Sequence, residues 1–222
     1  MSINNLKVAC SLGSPLAGEP PQLDSILEWE LAQRLGLAHK ITRDSILEET
    51  KIPVPLYKYY MSENRFVWCV SSPIYAANLE YQEHYTKRFP SEKAFMLSEN
   101  NQKSILTSSG SFKMRMTPIQ VKKIDSVVWF AKGDRREILK LLKKVLYLGK
   151  NRNMGYGKII DWNVELIDND YSVFAGENKI LMRTIPKEDA EKQEATGYKL
   201  SYGGYKPPYW HPDNYTEVAI PC

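Results

Sequence analysis

The stretch that decides the fold is SVVWFAKGDRREILKLLKKVLYLGKNRNMGYGKIIDWNVEL, residues 126–166. Its first six residues are apolar or small and predict a strand. Asp134, followed three residues later by Glu137, is typical of a helix start, because both carboxylates can meet unpaired backbone amides. Apolar residues at helical spacing then predict a helix over 135–148. A glycine-rich loop follows, and alternation over 158–167 predicts a half-buried strand.

The order strand, helix, strand also occurs in the sequence before this stretch. Alternating apolar residues over 4–10 predict a strand, and Leu23, Leu27, Leu31 and Leu35 predict an amphipathic helix that stops at Gly36. The aromatic and β-branched residues of 65–71 predict a second strand. Two loose β-α-β units indicate an α+β protein with a ferredoxin-like β-α-β-β-α-β core. We expect its core to contain three tryptophans, Trp68, Trp129 and Trp162.

The remaining segments are less regular. Residues 76–111 are polar and without a clear period, which predicts an insertion or long loop. Alternation resumes at 112 and is interrupted by Pro118, so we expect an inserted β-hairpin or loop region over about 76–124 of a single domain spanning 1–222. Residues 171–185 predict a hairpin that turns at 176–178. The tail, about 186–222, is charged and then rich in proline and aromatic residues, which predicts an irregular segment docked by its rings.

Composition excludes several classes of protein. With 43% hydrophobic residues the chain is too apolar to be disordered, and its net charge of +4 permits a local cationic groove rather than a polycationic tail. The longest apolar run, 127–131, is far shorter than the ~20 residues of a membrane span. Three cysteines without a C-x-x-C spacing argue against a disulfide scaffold and a cysteine zinc site. Together with the lack of a secretory pattern, this predicts a cytoplasmic protein without metal or cofactor.

The glycine loop, LGKNRNMGYGK at 148–158, carries the chemistry. It lacks the Gly-Lys-Ser/Thr of a Walker loop, and a helix precedes it, whereas a dinucleotide fingerprint precedes its helix. Anion binding must therefore come from Lys150, Arg152, Lys158 and the loop amides. Arg152 can bind a phosphate with two hydrogen bonds, and Tyr156 can stack on a base. This combination favours a polynucleotide backbone, although a solvated turn between helix and strand explains the same pattern equally well.

At this point the sequence resembles a known family. A helix ending in an aliphatic residue and glycine, five residues with Lys and Arg, and then Gly-aromatic-Gly before a strand is similar to the glycine loop of the RAMP superfamily of CRISPR RNA-binding proteins. Further segments resemble the type IV CRISPR effector subunit of the Cas-five class: Ser14-Pro15-Leu16-Ala17, 23–29, 129–134, 161–165 and Pro207-Pro208-Tyr209-Trp210.

The resemblance implies a non-catalytic subunit that binds and caps the 5′ handle of a guide RNA (crRNA) within a type IV CRISPR ribonucleoprotein. It implies RNA contacts at the loop residues Lys150, Asn151, Arg152, Asn153, Gly155, Tyr156, Gly157 and Lys158. A basic β-hairpin also grips the handle in that family, and we assign it to Arg115, Lys122 and Lys123. The implied partners are the guide RNA, the backbone-forming and large subunits and, near the PAM, target DNA.

Two other functions stay open. A RAMP-type, metal-independent endoribonuclease that processes repeat RNA needs a base, commonly His, and a cation beside the 2′-hydroxyl. The sequence offers His39, His84 and His211 but pairs none of them with a second catalytic group, so we favour no enzyme activity. A protein-interaction module with an incidental glycine turn is the other alternative.

Overall fold

Strands predominate in the computed structural model, which describes residues 3–37, 52–62, 65–88, 109 and 113–222. Within these ranges the strands are β1 (Asn4–Leu12), β2 (Leu16–Ala17), β3 (Lys58–Ser62), β4 (Arg65–Trp68), β5 (Ile74–Lys87), β6 (Arg115–Gly133), β7 (Ile159–Leu166), β8 (Phe174–Ala175), β9 (Ile180–Leu181), β10 (Ile185–Pro186), β11 (Tyr198–Gly204) and β12 (Tyr215–Pro221). The helices are α1 (Leu23–Arg34), α2 (Arg135–Leu142) and α3 (Lys187–Lys192). This mixture is consistent with the predicted α+β class.

The main sheet is antiparallel and has the order β2-β6-β1-β7, with β5 also paired to β6. β1 lies at its centre, where Val8 is opposite both Trp129 of β6 and Val164 of β7. Strands predicted at 4–10, 126–131 and 158–167 are therefore confirmed. The strand predicted over 65–71 ends at Trp68, and Val70 continues only as an isolated bridge to Ala131.

The principal core lies between this sheet and helices α1 and α2. The leucine stripe of α1 is buried through Leu23, Leu27 and Leu31, as predicted, whereas Leu35 lies just past the last helical residue and is exposed. Asp134 caps α2 by accepting hydrogen bonds from the backbone amides of Arg136 and Glu137, also as predicted. The tryptophans Trp68, Trp129 and Trp162 are buried in the same cluster, which confirms their placement in the core.

Helix α2 ends earlier than the sequence pattern predicts. Its last helical residue is Leu142, whereas the apolar spacing predicts a helix to 148. Leu148 donates its amide to the carbonyl of Gly157, and Tyr147 forms a β-bridge with Lys158. Because residues 147 and 148 pair with 158 and 157, the helix cannot continue to 148. Val145 and Leu148 still bury their side chains in the core.

The region predicted as an insertion or long loop begins with a strand. β5 runs to Lys87 and pairs with β6 from Ile74–Val128 to Lys87–Arg115, so in the described part of 76–124 the chain forms the β-hairpin that we expected as the alternative to a loop. The residues between 88 and 113, apart from 109, lie outside the described part. Pro118 does not interrupt β6. It pairs with His84 of β5 at a level where β1 and β2 are not opposite it, and an edge position tolerates the missing amide.

The C-terminal segment is more regular than predicted. In place of an irregular tail over 186–222, α3 is followed by β11 and β12, which form a sheet in the order β10-β12-β11. The seven paired positions of β11 and β12 supply the backbone hydrogen bonds that a tail docked by rings alone would lack. The predicted hairpin is confirmed as β8 and β9, which turn at Gly176. A second core joins this part to Val67 and Cys69.

None of the helices within the described ranges has the length and apolar character needed to cross a membrane.

Candidate nucleic-acid interface

The glycine loop is held against the segment that links β1 to β2. The hydroxyl of Ser14 donates to the carbonyl of Gly155 at 2.7 Å and accepts from the amide of Lys158 at 2.8 Å. The amide of Gly157 donates to the carbonyl of Pro15, also at 2.7 Å. These three hydrogen bonds fix the C-terminal end of the loop to this segment, and the amide of Lys150 fixes the other end to the carbonyl of Ala17 in β2.

The loop glycines have different roles. A Cβ on Gly157 would lie 2.1 Å from the carbonyl oxygen of Leu148, and one on Gly149 would lie 2.7 Å from Cδ1 of Leu16. These two glycines therefore permit close packing within the protein. Gly155 has a φ of +89°, and a Cβ there would meet nothing within 4 Å. Among the three, Gly155 is the one whose backbone can be approached closely from outside.

The predicted cations of the loop face solvent. Lys150, Arg152 and Lys158 are all exposed, as are Asn151 and Asn153. A 3₁₀ turn over Arg152–Met154 projects this segment outward, and Asn151 adopts the left-handed conformation with a φ of 53°. Asn tolerates that conformation better than most residues do. The geometry thus presents three positive charges and two amides on one short, ordered loop.

Tyr156 differs from its predicted role as an open stacking surface. Its ring is half-buried against the small cluster of Ala17, Ile119 and Val121. Its hydroxyl donates a hydrogen bond to Glu83 of β5, which raises the pKa of Tyr156 to about 12. Tyr156 therefore ties the loop to the hairpin, and only part of its ring remains available to a ligand.

Lys122 of the predicted basic hairpin is neutralised within the protein. Its Nζ lies 2.6 Å from Glu19 and 3.3 Å from Glu80, and Tyr75 bonds to both Lys122 and Glu19. The hydrogen bond with Glu19 is the main cause that raises the pKa of Lys122 above its usual range. Only 13% of the Lys122 side chain is exposed. A phosphate would have to displace two carboxylates to reach it.

The other two hairpin cations are exposed at different places. Lys123 follows Lys122 on β6 and is exposed. Arg115 lies at the start of β6 opposite Lys87. Seven residues separate it from Lys122, which is about 23 Å along a strand. Lys123 thus lies two residues along β6 from Val121, which pairs with Ala17 beside the loop, whereas Arg115 lies at the far end of the hairpin.

The loop and the hairpin are joined through β2. Ala17 accepts a hydrogen bond from the amide of Lys150 and pairs with Val121 of β6. The contact between Tyr156 and Glu83 adds a second connection. The two regions that the sequence predicts to bind RNA thus form one continuous surface, and β2 is the strand whose backbone connects them.

Sequence reasoning missed the residues that organise this surface. Ser14, Glu19 and Glu83 are distant in sequence from the loop, and each contacts one of the predicted residues. The break at 13–15 after the first strand marks a turn, but a pattern of local residues does not reveal which distant segment that turn will hold.

Among the described residues, the candidate histidines His84 and His211 have partners outside the glycine loop. No cluster of three or more His, Cys, Asp or Glu suited to a metal occurs among the described residues. His84 is exposed on β5 and lies next to Gln82, whereas Glu83 between them points to the opposite face. His211 is buried and caps a turn by accepting from the amide of Asp213. His39 lies outside the described residues.

Comparison with known proteins places the chain in a family. No curated protein matches it. A family model described as CRISPR type IV associated protein Csf3 matches residues 4–221, which is nearly the whole chain. The predicted link to type IV CRISPR systems is thereby confirmed, and it implies a role in a type IV CRISPR complex. The chain belongs to the family of the CRISPR type IV associated protein Csf3.

Proposed function

We propose that this chain is the subunit that binds and caps the 5′ handle of the guide RNA in a type IV CRISPR ribonucleoprotein. One observation carries the proposal: an ordered loop with three exposed cations is continuous with a long hairpin, in a chain of a CRISPR family. Lys150, Arg152 and Lys158 would contact phosphates, and the amides of Asn151 and Asn153 would add hydrogen bonds. Gly155 would allow the RNA backbone to approach closely.

The hairpin extends this contact in the proposal. Lys123, two residues along β6 from the position that pairs with Ala17, would bind a further phosphate, and Arg115 would reach RNA or a neighbouring subunit at the far end. Lys122 has a different role, because Glu19 and Glu80 already neutralise it. We assign it to holding β6 against the segment that precedes α1.

We also propose that the main sheet is the ferredoxin-like core of a RAMP protein of the Cas-five class. The strand order β7-β1-β6-β5 supports this assignment. It follows the 4-1-3-2 arrangement of β-α-β-β-α-β folds, with β1 as the first strand, β5 as the second, β6 as the third and β7 as the fourth. In that reading α1 and α2 are the two helices of the core, and the hairpin is an extension of its second and third strands. The division into a single domain with an insertion remains a prediction.

The partners follow from the same proposal. One chain with a net charge of +4 cannot hold a long guide alone, so backbone-forming and large subunits would complete the particle in the cytoplasm. Target DNA near the PAM would be a further partner.

The test is the salt dependence of guide-RNA binding by the purified chain. Lys150→Ala combined with Arg152→Ala should weaken binding and flatten the slope of log affinity against log salt by about 1.4, or ~0.7 per lost phosphate contact. Lys192→Ala combined with Lys199→Ala is the matched control, because it removes the same charge from exposed sites in the C-terminal part. Equal slopes for the two variants would refute the loop as the RNA site.

We further propose that the chain has no ribonuclease activity of its own. Support comes from the contacts of the two described histidines: His84 lies next to Gln82, and His211 is buried and pairs with Asp213 of its own turn. Incubation with labelled repeat RNA in EDTA should leave the RNA intact. A defined cut that is lost in a His39→Ala, His84→Ala or His211→Ala variant would favour the alternative, a metal-independent endoribonuclease.

A further inference from the structure

A cleft of about 460 Å³ lies between helix α1 and the start of the glycine loop. Ile26 and Trp29 line it from the helix, and Tyr147, Lys150 and Arg152 line it from the segment that leaves α2. Sites for small ligands usually have volumes of about 300–1,000 Å³. This cleft is near the lower end of that range, which suits one nucleotide better than a longer piece of RNA.

Trp29 is the unusual residue of this cleft. Leu27 and Leu31 of the same helix are buried in the core, whereas 44% of Trp29 is exposed. Residues two apart on a helix point to different sides, so Trp29 cannot share the leucine stripe. Its indole is placed beside a recess instead of within the core. An exposed aromatic ring in such a position offers a flat surface on which a base can stack.

The charges around the cleft are divided between its two sides. Lys150 and Arg152 lie on the loop side and make no ion pair with any described residue. Glu19 and Glu30 lie on the helix side, and Glu19 is already bound by Lys122 and Tyr75. A phosphate is favoured next to the cations and disfavoured next to the carboxylates. A base has N–H groups that can donate hydrogen bonds to a carboxylate, so the edge of the base is favoured next to the glutamates on the helix side.

We propose that this cleft binds one unstacked base of the guide RNA, with the ring of Trp29 against its face. Lys150 and Arg152 would hold the phosphate beside that base, so the cleft is a continuation of the loop contact. The inference rests on the proposed function, because it takes the guide RNA as the ligand. The inference adds that one nucleotide of the handle is unstacked from its neighbours and inserts its base into this cleft.

The experiment uses guide RNAs that carry the fluorescent base 2-aminopurine at one handle position at a time. With the wild-type chain, fluorescence should fall at one position, because stacking on an aromatic ring quenches it. Trp29→Ala should abolish that change and weaken binding by about 5- to 150-fold, the range of one lost base–aromatic stack. Trp29→Phe should retain most of both effects. Trp210→Ala is the matched control, since Trp210 is also exposed and lies in the C-terminal part.

An abasic nucleotide at the same position gives a second test that leaves the protein intact. It should weaken binding to the wild-type chain and have no further effect on Trp29→Ala, because both changes remove the same contact. If Trp29→Ala does not fold, the abasic series with the wild type and Trp29→Phe decides the question.

The outcomes separate this inference from the function on which it rests. A chain that does not bind guide RNA would refute both. Binding that depends on Lys150 and Arg152 but shows no sensitive base position, with Trp29→Ala equal to Trp210→Ala, would overturn the cleft alone. Tight binding of a free nucleoside monophosphate that quenches Trp29 emission would also overturn it, since the occupant would then not be a guide base.

Discussion

Arg183 donates a hydrogen bond of 2.6 Å to the carboxylate of Asp24, and both side chains are almost completely buried. Arg183 lies between β9 and β10, whereas Asp24 lies in the first turn of α1. Arg183 also donates to the carbonyls of Val70 and Tyr205, and the Tyr209 hydroxyl lies 2.9 Å from both carboxylate oxygens of Asp24. Burial disfavours the charged guanidinium, but Asp24 and Tyr209 outweigh it and keep the pKa of Arg183 above its usual range.

Breaking this pair should be costly, because the remaining charge would be buried without compensation. We expect Asp24→Asn or Arg183→Met to lower the free energy of unfolding by about 3–5 kcal/mol, measured by urea denaturation. The partly exposed pair of Lys187 and Glu217 is the matched control, and Lys187→Met should cost at most about 1 kcal/mol. A loss in Asp24→Asn as small as that of the control would contradict a structural role for the buried pair.

Local pattern was sufficient for the centre of the fold. The strands around Val8, Trp129 and Val164 and the cap at Asp134 follow from alternation and from short-range hydrogen bonding, which are properties of neighbouring residues. The early end of α2 and the strands of the tail depend on pairing with distant segments, and no local pattern contains that information. The Asp24–Arg183 pair is of the same kind, because it joins residues 159 positions apart.

The candidate site divides in the same way. Exposed charge at Lys150, Arg152 and Lys158 could be predicted from the composition of a glycine-rich turn. The neutralisation of Lys122 and the packing of Tyr156 could not, because Glu19 and Glu83 lie far away in the sequence. A cation in a sequence motif is therefore evidence for an interface only when its intramolecular partners are known.

The two glycines of the Gly-Tyr-Gly sequence should respond differently to alanine. Gly157→Ala combines a φ of +67° with a Cβ at 2.1 Å from a carbonyl oxygen, so we expect a loss of about 2–5 kcal/mol in the free energy of unfolding. Gly155→Ala has only the backbone strain, about 1–2 kcal/mol, because the space around it is open. Thermal and urea unfolding of both variants measure the difference. Equal losses would show that the contact between Gly157 and Leu148 does not constrain the loop.

Buried thiols should make the protein less stable at alkaline pH. Burial raises the pKa of Cys10 to about 12 and that of Cys69 to about 11, whereas a thiol in the unfolded chain titrates near 8.5. A raised pKa in the folded state means that this stabilisation is complete below pH ~8.5 and is lost as the pH rises toward 11. In that window each thiol should reduce the free energy of unfolding by about 1.4 kcal/mol per pH unit.

Urea denaturation between pH 8 and 10.5 tests this dependence. The variant with Cys10→Ala and Cys69→Ala should show a shallower decline than the wild type. Cys222→Ala should decline as the wild type does, because Cys222 is exposed. Parallel curves for the wild type and the double variant would mean that the two thiols do not contribute to the alkaline loss.

Two neighbouring lysines of β6 provide a sharp test of which charges reach the RNA. Lys122 is bound by Glu19 and Glu80, so Lys122→Gln should leave the salt dependence of guide-RNA binding unchanged. It should lower the free energy of unfolding by about 1 kcal/mol or less, because both carboxylates are largely exposed. Lys123→Gln should leave stability unchanged and flatten the slope of log affinity against log salt by ~0.7. The reverse result, with Lys122 controlling the slope, would show that the RNA displaces Glu19 and Glu80, and the ion pairs would then be a feature of the RNA-free chain only.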